Sequence, residues 1–306
     1  MRRLTLRVGA TEAGARLDRF VAASGGISRG LARRAIDLGG VFLEGRRCKV
    51  AGRTVREGQS VVVNLEEGGR PPSAAAPLER ERLLYADEYL LAVDKPPFVP
   101  AQPTLTSDQG ALGELVAALV GAPVSMVHRL DRETSGVTVF ARTAAIATAL
   151  SKAFRDGAVE KTYLAVVARE PTPPDGRIDA PLRPDPGRPG RRIVGAGGKP
   201  AATRYRTLHV GATGVALVQC QPETGRTHQI RAHLAHLGAP LLGDWRYGGP
   251  RRLGDTALPR VMLHARRLRL THPATGARME LEAPVPADLL SALRALVPAA
   301  AADPSI

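Results

Sequence analysis

The stretch His128-Arg129-Leu130-Asp131-Arg132-Glu133-Thr134-Ser135-Gly136 sets one carboxylate, Asp131, between two arginines and closes on a Thr-Ser-Gly turn. Its flanks, Val124–Val127 (broken by Ser125) and Val137–Phe140, read as short strands. The charged cluster should therefore be a loop at a sheet edge, where working residues collect. Flanking guanidiniums favour the carboxylate over the neutral acid. An anion held in this way suits attack on, or stabilisation of, an electron-poor carbon. The plain alternative is a salt-bridged surface loop, and on this stretch alone the two readings stand level.

A second cluster runs from Pro222 through Gly225-Arg226-Thr227-His228-Gln229-Ile230-Arg231 to Leu234. A strand should end near Gln221, and a helix should begin near Thr227. Ile230, Leu234 and Leu237 share an apolar face that would pack on a sheet. Arg231 is then held rigidly and could pair with Asp131. His228, His233 and His236 invite a metal reading, but the two-histidine helical zinc pattern with its intervening glutamate is missing, so no metal is expected. The third cluster is Glu160-Lys161-Thr162-Tyr163. On a strand Lys161 and Tyr163 share a face, where the ring can stack on a base and the ammonium can hold a polar group. A second carboxylate, Asp244, sits in Leu241-Leu242-Gly243-Asp244-Trp245-Arg246-Tyr247-Gly248. A glycosidase would need two facing carboxyls, and no spacing here argues for them. A Gly-Asp turn before aromatics reads as structural.

These residues need elements to position them. Residues 1–65 should form a small basic unit: a helix around Arg16–Val21, a helix Arg29–Leu38 capped by Ser28 and stopped at Gly39-Gly40, a hairpin around Glu44-Gly45, and a strand Val61–Leu65. Arg29, Arg33 and Arg34 line the second helix. Residues 66–77, rich in Gly, Pro and Ala, read as a linker. Residues 78–296 should form a strand-rich domain with outer helices, among them Leu112–Val120 and Ala144–Phe154 capped by Thr143. Pro181–Pro200 is dense in Pro, Gly and Arg and reads as a loop that orders only on a partner. Residues 297–306 read as a disordered tail. The fold class is α+β, a mixed, mostly antiparallel sheet domain behind a small N-terminal α/β domain.

The chain has 306 residues and is 44% hydrophobic, enough to bury a core. Lys plus Arg outnumber Asp plus Glu by 43 to 29. Arginine carries most of that excess, which points to a polyanionic partner; arginine-rich codon usage is the competing explanation. Cys48 and Cys220 match no metal spacing and should be free thiols in a reducing compartment. No apolar h-region follows Met1, and no apolar run is long enough to span a bilayer, so a cytoplasmic location is expected.

The N-terminal pattern RLDRF, SRGLARRAIDLGGVFLEG, VREGQSVVV resembles the S4-like RNA-binding domain, which implies that the arginine-bearing helix grips structured RNA. HRLDRETSG, EKTYLAVV, PETGRTHQIRAHLAHLGAPLLGDWRYG and LHARRLRLTHPATG, in that order over residues 80–285, resemble the RluA family of pseudouridine synthases. The resemblance implies isomerisation of uridine in RNA, ribosomal RNA of the large subunit first and transfer RNA as the alternative, without metal or cofactor. It implies that Asp131 is the essential aspartate and that Tyr163 stacks on the target base and assists removal of the C5 proton. Arg231 would ion-pair with Asp131, and Arg129 would fill the gap left by the extruded base. Lys161, Arg226, Thr227 and His228 would line the substrate site. A monomer without membrane contact is the default. A non-catalytic RNA-binding or ribosome-assembly protein on the same fold is the competing reading. One departure stands out: after Asp94-Lys95-Pro96-Pro97, where relatives continue through a glycine to a His-Pro pair, this chain has Phe98 and then Gln102-Pro103.

Overall fold

The computed structural model describes residues 2–65, 76–107, 109–304 and 306. The expected linker therefore lies mostly outside the described residues. Contacts divide the chain into two compact units, residues 1–78 with 100–120, and residues 79–99 with 121–306.

In the first unit β1 (Arg2–Arg7) is followed by α1 (Leu17–Gly25), α2 (Arg29–Asp37), β2 (Val41–Leu43), β3 (Arg46–Arg47) and β4 (Ser60–Leu65). The four strands form one antiparallel sheet in the order β1-β4-β2-β3. Ser28 caps α2 by accepting from the Leu31 N–H at 3.2 Å, as its sequence position predicts. Glu44 and Gly45 both take positive φ between β2 and β3, the twist a two-residue hairpin requires. Leu17, Phe20, Val21, Ile36, Val41, Val61 and Val63 make the core. The helix α3 (Leu112–Val120), which the sequence reading placed in the large domain, groups with this unit. Helical periodicity shows that such a helix exists but not which core takes it. Here the preceding segment is stapled down locally, with Arg47 Nη2 donating to Thr104 O at 2.6 Å and Gln109 Nε2 donating to Asp37 O at 3.3 Å.

The second unit contributes β5 (Leu83–Ala86), β6 (Leu90–Lys95), β7 (Ser125–Met126), β8 (Ser135–Ala141), α4 (Ala144–Arg155), β9 (Glu160–Val167), β10 (Asp175–Asp179), β11 (Leu182–Pro184), β12 (Arg192–Val194), β13 (Ala202–Val210), β14 (Ala216–Pro222), α5 (Gln229–His236), β15 (Arg252–Leu253), β16 (Thr256–Ala257), β17 (Leu263–Thr271), β18 (Arg278–Glu282), α6 (Ala287–Leu296) and α7 (Pro298–Ala301). Ten of these strands share one sheet in the order β10-β13-β14-β9-β17-β8-β6-β5, with β18 on β17 and β7 on β8. Every pairing is antiparallel except β17 with β8. That one parallel contact explains Gly136. It sits at φ 116°, and a Cβ there would stand 2.1 Å from the Ala265 carbonyl oxygen. The sheet is thus mixed and mostly antiparallel, with helices on it, the α+β arrangement the sequence implies. Ile230 and Leu234 of α5 bury against Ala165, Val218 and Leu263, with Leu237 at the edge of the same cluster.

Two segments depart from expectation. Within Pro181–Pro200, β11 and β12 pair in an antiparallel ribbon with Leu182 opposite Val194. Leu182 and Tyr247 bury together, and the Tyr247 hydroxyl accepts the Arg192 N–H at 2.8 Å, so the chain's own aromatic orders this loop. The residues read as a disordered tail include α7, because Val297 and Ala300 bury against Val215, Leu217 and Leu289. Alanine is the best helix former, and a composition-based reading takes such an Ala-rich end for solvent-exposed chain.

Candidate active site

Asp131 lies between β7 and β8 in a loop that its neighbours hold from several sides. His128 Nε2 accepts the Val139 N–H at 2.9 Å, and its ring stacks on Phe154 with centroids 4.2 Å apart. Burial, followed by the nearby Lys161 charge, lowers the His128 pKa to about 3, so it serves as a neutral peg. Lys95, at the end of β6, donates to the carbonyls of Pro96, Val99 and Arg132 at 2.9–3.1 Å. Buried Arg260 donates to the Glu133 carbonyl at 3.2 Å while Asp288 holds its other face. The Thr134 N–H closes the turn on Asp131 O at 3.1 Å. Ser135 Oγ meets His264 Nδ1 at 3.0 Å. Phe98, at φ 68°, donates its N–H to Arg132 O at 2.7 Å and accepts Arg132 Nε at 3.1 Å. The left-handed region is one that glycine enters without strain, and here Phe98 occupies it.

The partner of Asp131 comes from α5. Arg231 Nη1 donates to Asp131 Oδ2 at 3.2 Å. Its other edge makes a two-pronged pair with Asp244, at 2.6 Å from Nε to Oδ2 and 2.8 Å from Nη2 to Oδ1. Side-chain exposures are 6% for Arg231, 1% for Asp244 and 22% for Asp131. Burial opposes the Arg231 charge, but the Asp244 hydrogen bonds and the two carboxylate charges outweigh it and raise its pKa. The guanidinium also lies 5.1 Å from the Tyr247 ring centroid. His228, in the left-handed region at φ 56°, precedes α5, so the helix starts later than Thr227. Its Nδ1 meets the Tyr247 hydroxyl at 3.1 Å, and its Nε2 stands 3.9 Å from Asp131 Oδ2. The same phenol oxygen accepts the Arg192 N–H, so Tyr247 links His228 to the β12 ribbon.

These groups open onto a cavity of about 660 Å³. Asp131, Arg129, Tyr163, Lys161 and Arg231 line it, as do Arg226, Thr227 and His228. Tyr163 and Lys161 share a face of β9, and Lys161 Nζ reaches Thr224 O at 3.5 Å. Burial pushes the Tyr163 hydroxyl upward, and the Asp131 charge adds to it. Burial lowers the Lys161 ammonium. Gln229 knits the wall together, accepting from Thr224 Oγ1 and the Arg226 N–H and donating to Ala202 O and Thr203 Oγ1. His233 bonds Thr203 Oγ1 and Ala180 O and so takes part in packing. Among the described residues no group of three or more His, Cys, Asp or Glu is placed to hold a metal ion. Nor is any described helix long and apolar enough to cross a membrane. Arg29, Arg33 and Arg34 lie on α2 of the other unit.

The sequence reading missed Asp244, Tyr247, Lys95 and Arg260. The sequence offers Asp244 as a second carboxyl or a structural turn residue, whereas the structure makes it the clamp on Arg231. Its signal was the Gly on each side of Asp244-Trp245-Arg246-Tyr247. Gly243 tolerates no Cβ, which would stand 1.7 Å from Arg260 O.

The RNA pseudouridylate synthase family model matches residues 89–236, and the S4 domain model matches residues 15–61. An uncharacterized RNA pseudouridine synthase of Mycobacterium bovis is 37% identical over 294 residues, covering 93% of this chain and 95% of that one. The dual-specificity RNA pseudouridine synthase RluA of Escherichia coli strain K12 is 38% identical over 209 residues, 66% of this chain and 92% of that one. Among solved structures, human RNA pseudouridylate synthase domain containing 4 superposes with a TM-score of 0.58 at 29% identity, covering 70% of this chain and 92% of that one.

Proposed function

The chain belongs to the RluA family of RNA pseudouridine synthases, and on that premise we propose how its site works and on what. The protein is an isomerase: the uracil N1–C1′ bond breaks, the base turns, a C5–C1′ bond forms, and the C5 proton leaves as N1 gains one. Asp131 acts on the ribose, at C1′ or on a sugar proton, and either route requires the anion. Arg231 positions that anion, itself set by Asp244. Tyr163 offers a flat face for the pyrimidine. Its raised pKa keeps it a phenol at neutral pH, so it can relay the C5 proton but not take it as a phenolate. Lys161, Arg226, Thr227 and His228 contact the extruded nucleotide. Arg129 fills the gap left in the stack, which lowers the extrusion cost of about a few kcal/mol. Arg29, Arg33 and Arg34 contribute phosphate contacts.

The single observation that supports this assignment is the 3.2 Å contact between Arg231 and Asp131 in a cavity that Tyr163 also lines. We further propose large-subunit ribosomal RNA as substrate, with the protein working as a cytoplasmic monomer. The test is Asp131→Asn in purified protein, with pseudouridine measured on ribosomal RNA transcripts. We expect a loss of at least about a thousandfold, roughly 4 kcal/mol in the barrier. Undiminished activity would remove Asp131 from the reaction. Pseudouridine mapping in a deletion strain tests the substrate, and sites lost only from transfer RNA would overturn the ribosomal assignment.

A further inference from the structure

We propose that Trp245, with Arg246 and Arg251, forms a platform on which a base neighbouring the target uridine stacks. The proposal rests on the reading that the site takes RNA, and it concerns a surface outside the target cavity. Trp245 is the only tryptophan in the chain, and the residue is 53% exposed. It lies on a 3-10 turn, Trp245–Tyr247, whose residues divide by direction. Asp244 and Tyr247 point inward to Arg231 and His228, while Trp245 and Arg246 are exposed. The turn is rigid: Gly248 has φ 89°, and a Cβ on Gly249 would stand 1.8 Å from Leu241 O. An indole held outward on such a turn is preformed for a ligand.

Charge identifies the ligand. The guanidinium carbons of Arg246 and Arg251 each lie 5.2 Å from the indole centroid. Among the described residues neither arginine pairs with a carboxylate. Elsewhere in this unit Arg177 and Arg204 share Glu223, and Arg267 and Arg269 share Glu280. Positive charge stacked over a half-exposed indole matches a nucleotide, whose phosphate draws a guanidinium off the ring so that the base takes its place on the indole. The turn that carries this platform also carries the clamps on Arg231 and His228. A base stacked there belongs to a nucleotide close in sequence to the one in the cavity.

The sole indole makes the test direct. Full-length protein is titrated with single-stranded oligouridylate while tryptophan emission is followed, and affinity is read separately from the anisotropy of a labelled oligomer. Emission should be quenched by oligouridylate but not by heparin, a polyanion without bases. Trp245→Ala should weaken oligomer affinity and raise KM for RNA about tenfold with kcat within about twofold. Trp245→Phe, which keeps a ring, should recover most of that loss and covers the case in which the alanine variant misfolds. Binding without quenching, equal quenching by heparin, or unchanged affinity in a folded Trp245→Ala would each overturn the platform. If wild-type protein binds and is quenched yet forms no pseudouridine in any RNA, the catalytic reading fails and the platform stands. If it is active without quenching, the platform alone fails.

Discussion

Two ionic clusters, one in each unit, are built with opposite polarity. In the N-terminal unit a single carboxylate, Asp18, is fully buried and holds two guanidiniums, Arg16 at 3.1 Å and Arg29 at 3.0 Å, whose side chains are 46% and 47% exposed. In the catalytic unit a single guanidinium, Arg231, is buried and holds two carboxylates, one hidden (Asp244) and one open to the cavity (Asp131). The buried partner is spent on orientation, and its counterpart is what the surface presents. The first cluster shows cations to whatever approaches, as a phosphate-binding surface must. The second shows one anion, as chemistry on a sugar carbon must. Both satisfy the rule that a buried charge needs a partner, and they differ in which sign is buried and which is presented.

The largest break in this symmetry should come from Asp244→Asn. The amide sets an NH2 against a guanidinium, leaving a buried arginine with only Asp131. Loss of one partner of a buried pair costs about 3–5 kcal/mol of stability. With Arg231 free to turn fully onto Asp131, the catalytic rate should fall about a hundredfold or more. Thermal melting and initial rates of pseudouridine formation measure the two effects. Near wild-type turnover would show that Asp244 only fills space.

Acid should separate the two regions next. Asp18 has its pKa lowered to about 2, chiefly by the Arg16 hydrogen bond against burial, then by Arg29. An acid depressed in the folded state adds stability above its unfolded value near 4, and that stability fades as pH falls towards 2. The pegs of the catalytic unit respond in the same direction, but over a higher pH window. Burial lowers His128 to about 3 and His264 to about 4. Below about pH 6.5 the unfolded chain binds protons that these folded imidazoles refuse, so stability is lost progressively from that point downward. The catalytic unit should therefore soften at a higher pH than the N-terminal one. Trp245 emission against pH reports the former. His128→Gln should shift its transition to lower pH relative to its own neutral-pH stability, and an unchanged profile would reject the pegging role.

Most of this architecture was legible in the sequence, for reasons that differ by residue. Ser28 and Thr143 announce helix starts through local hydrogen bonds that need no tertiary context. Asp131, Tyr163 and Arg231 stand in motifs that resemble the family's, the Asp131–Arg231 pair is what that resemblance implies, and the structure brings the two together across 100 positions. Asp244, Lys95 and Arg260 were not found, because their roles depend on what they are buried against. Lys95 satisfies three carbonyls of two loops, and periodicity cannot anticipate that. The ribbon in Pro181–Pro200 was missed for the same reason, since its organiser, Tyr247, lies far along the chain.

The smallest effect sharpens the outward-facing half of the comparison. Arg33 and Arg34 are exposed on α2, while Arg29 on the same helix is tied to Asp18. Arg29→Ala should cost less stability than loss of Asp18, because Arg16 remains on the buried carboxylate. Each arginine that touches phosphate adds close to one released counterion to binding. The Arg29, Arg33 and Arg34 to Ala triple variant should thus weaken binding to a ribosomal RNA fragment and flatten the slope of log affinity against log salt by about two to three units. Arg29→Ala alone should lose about one unit if its guanidinium is presented by Asp18, and Asp18→Asn should lose nearly as much by releasing it. An unchanged slope in the triple variant would detach α2 from RNA, and a loss in Arg29→Ala without one in Asp18→Asn would show that the buried carboxylate holds the fold but does not aim the cation.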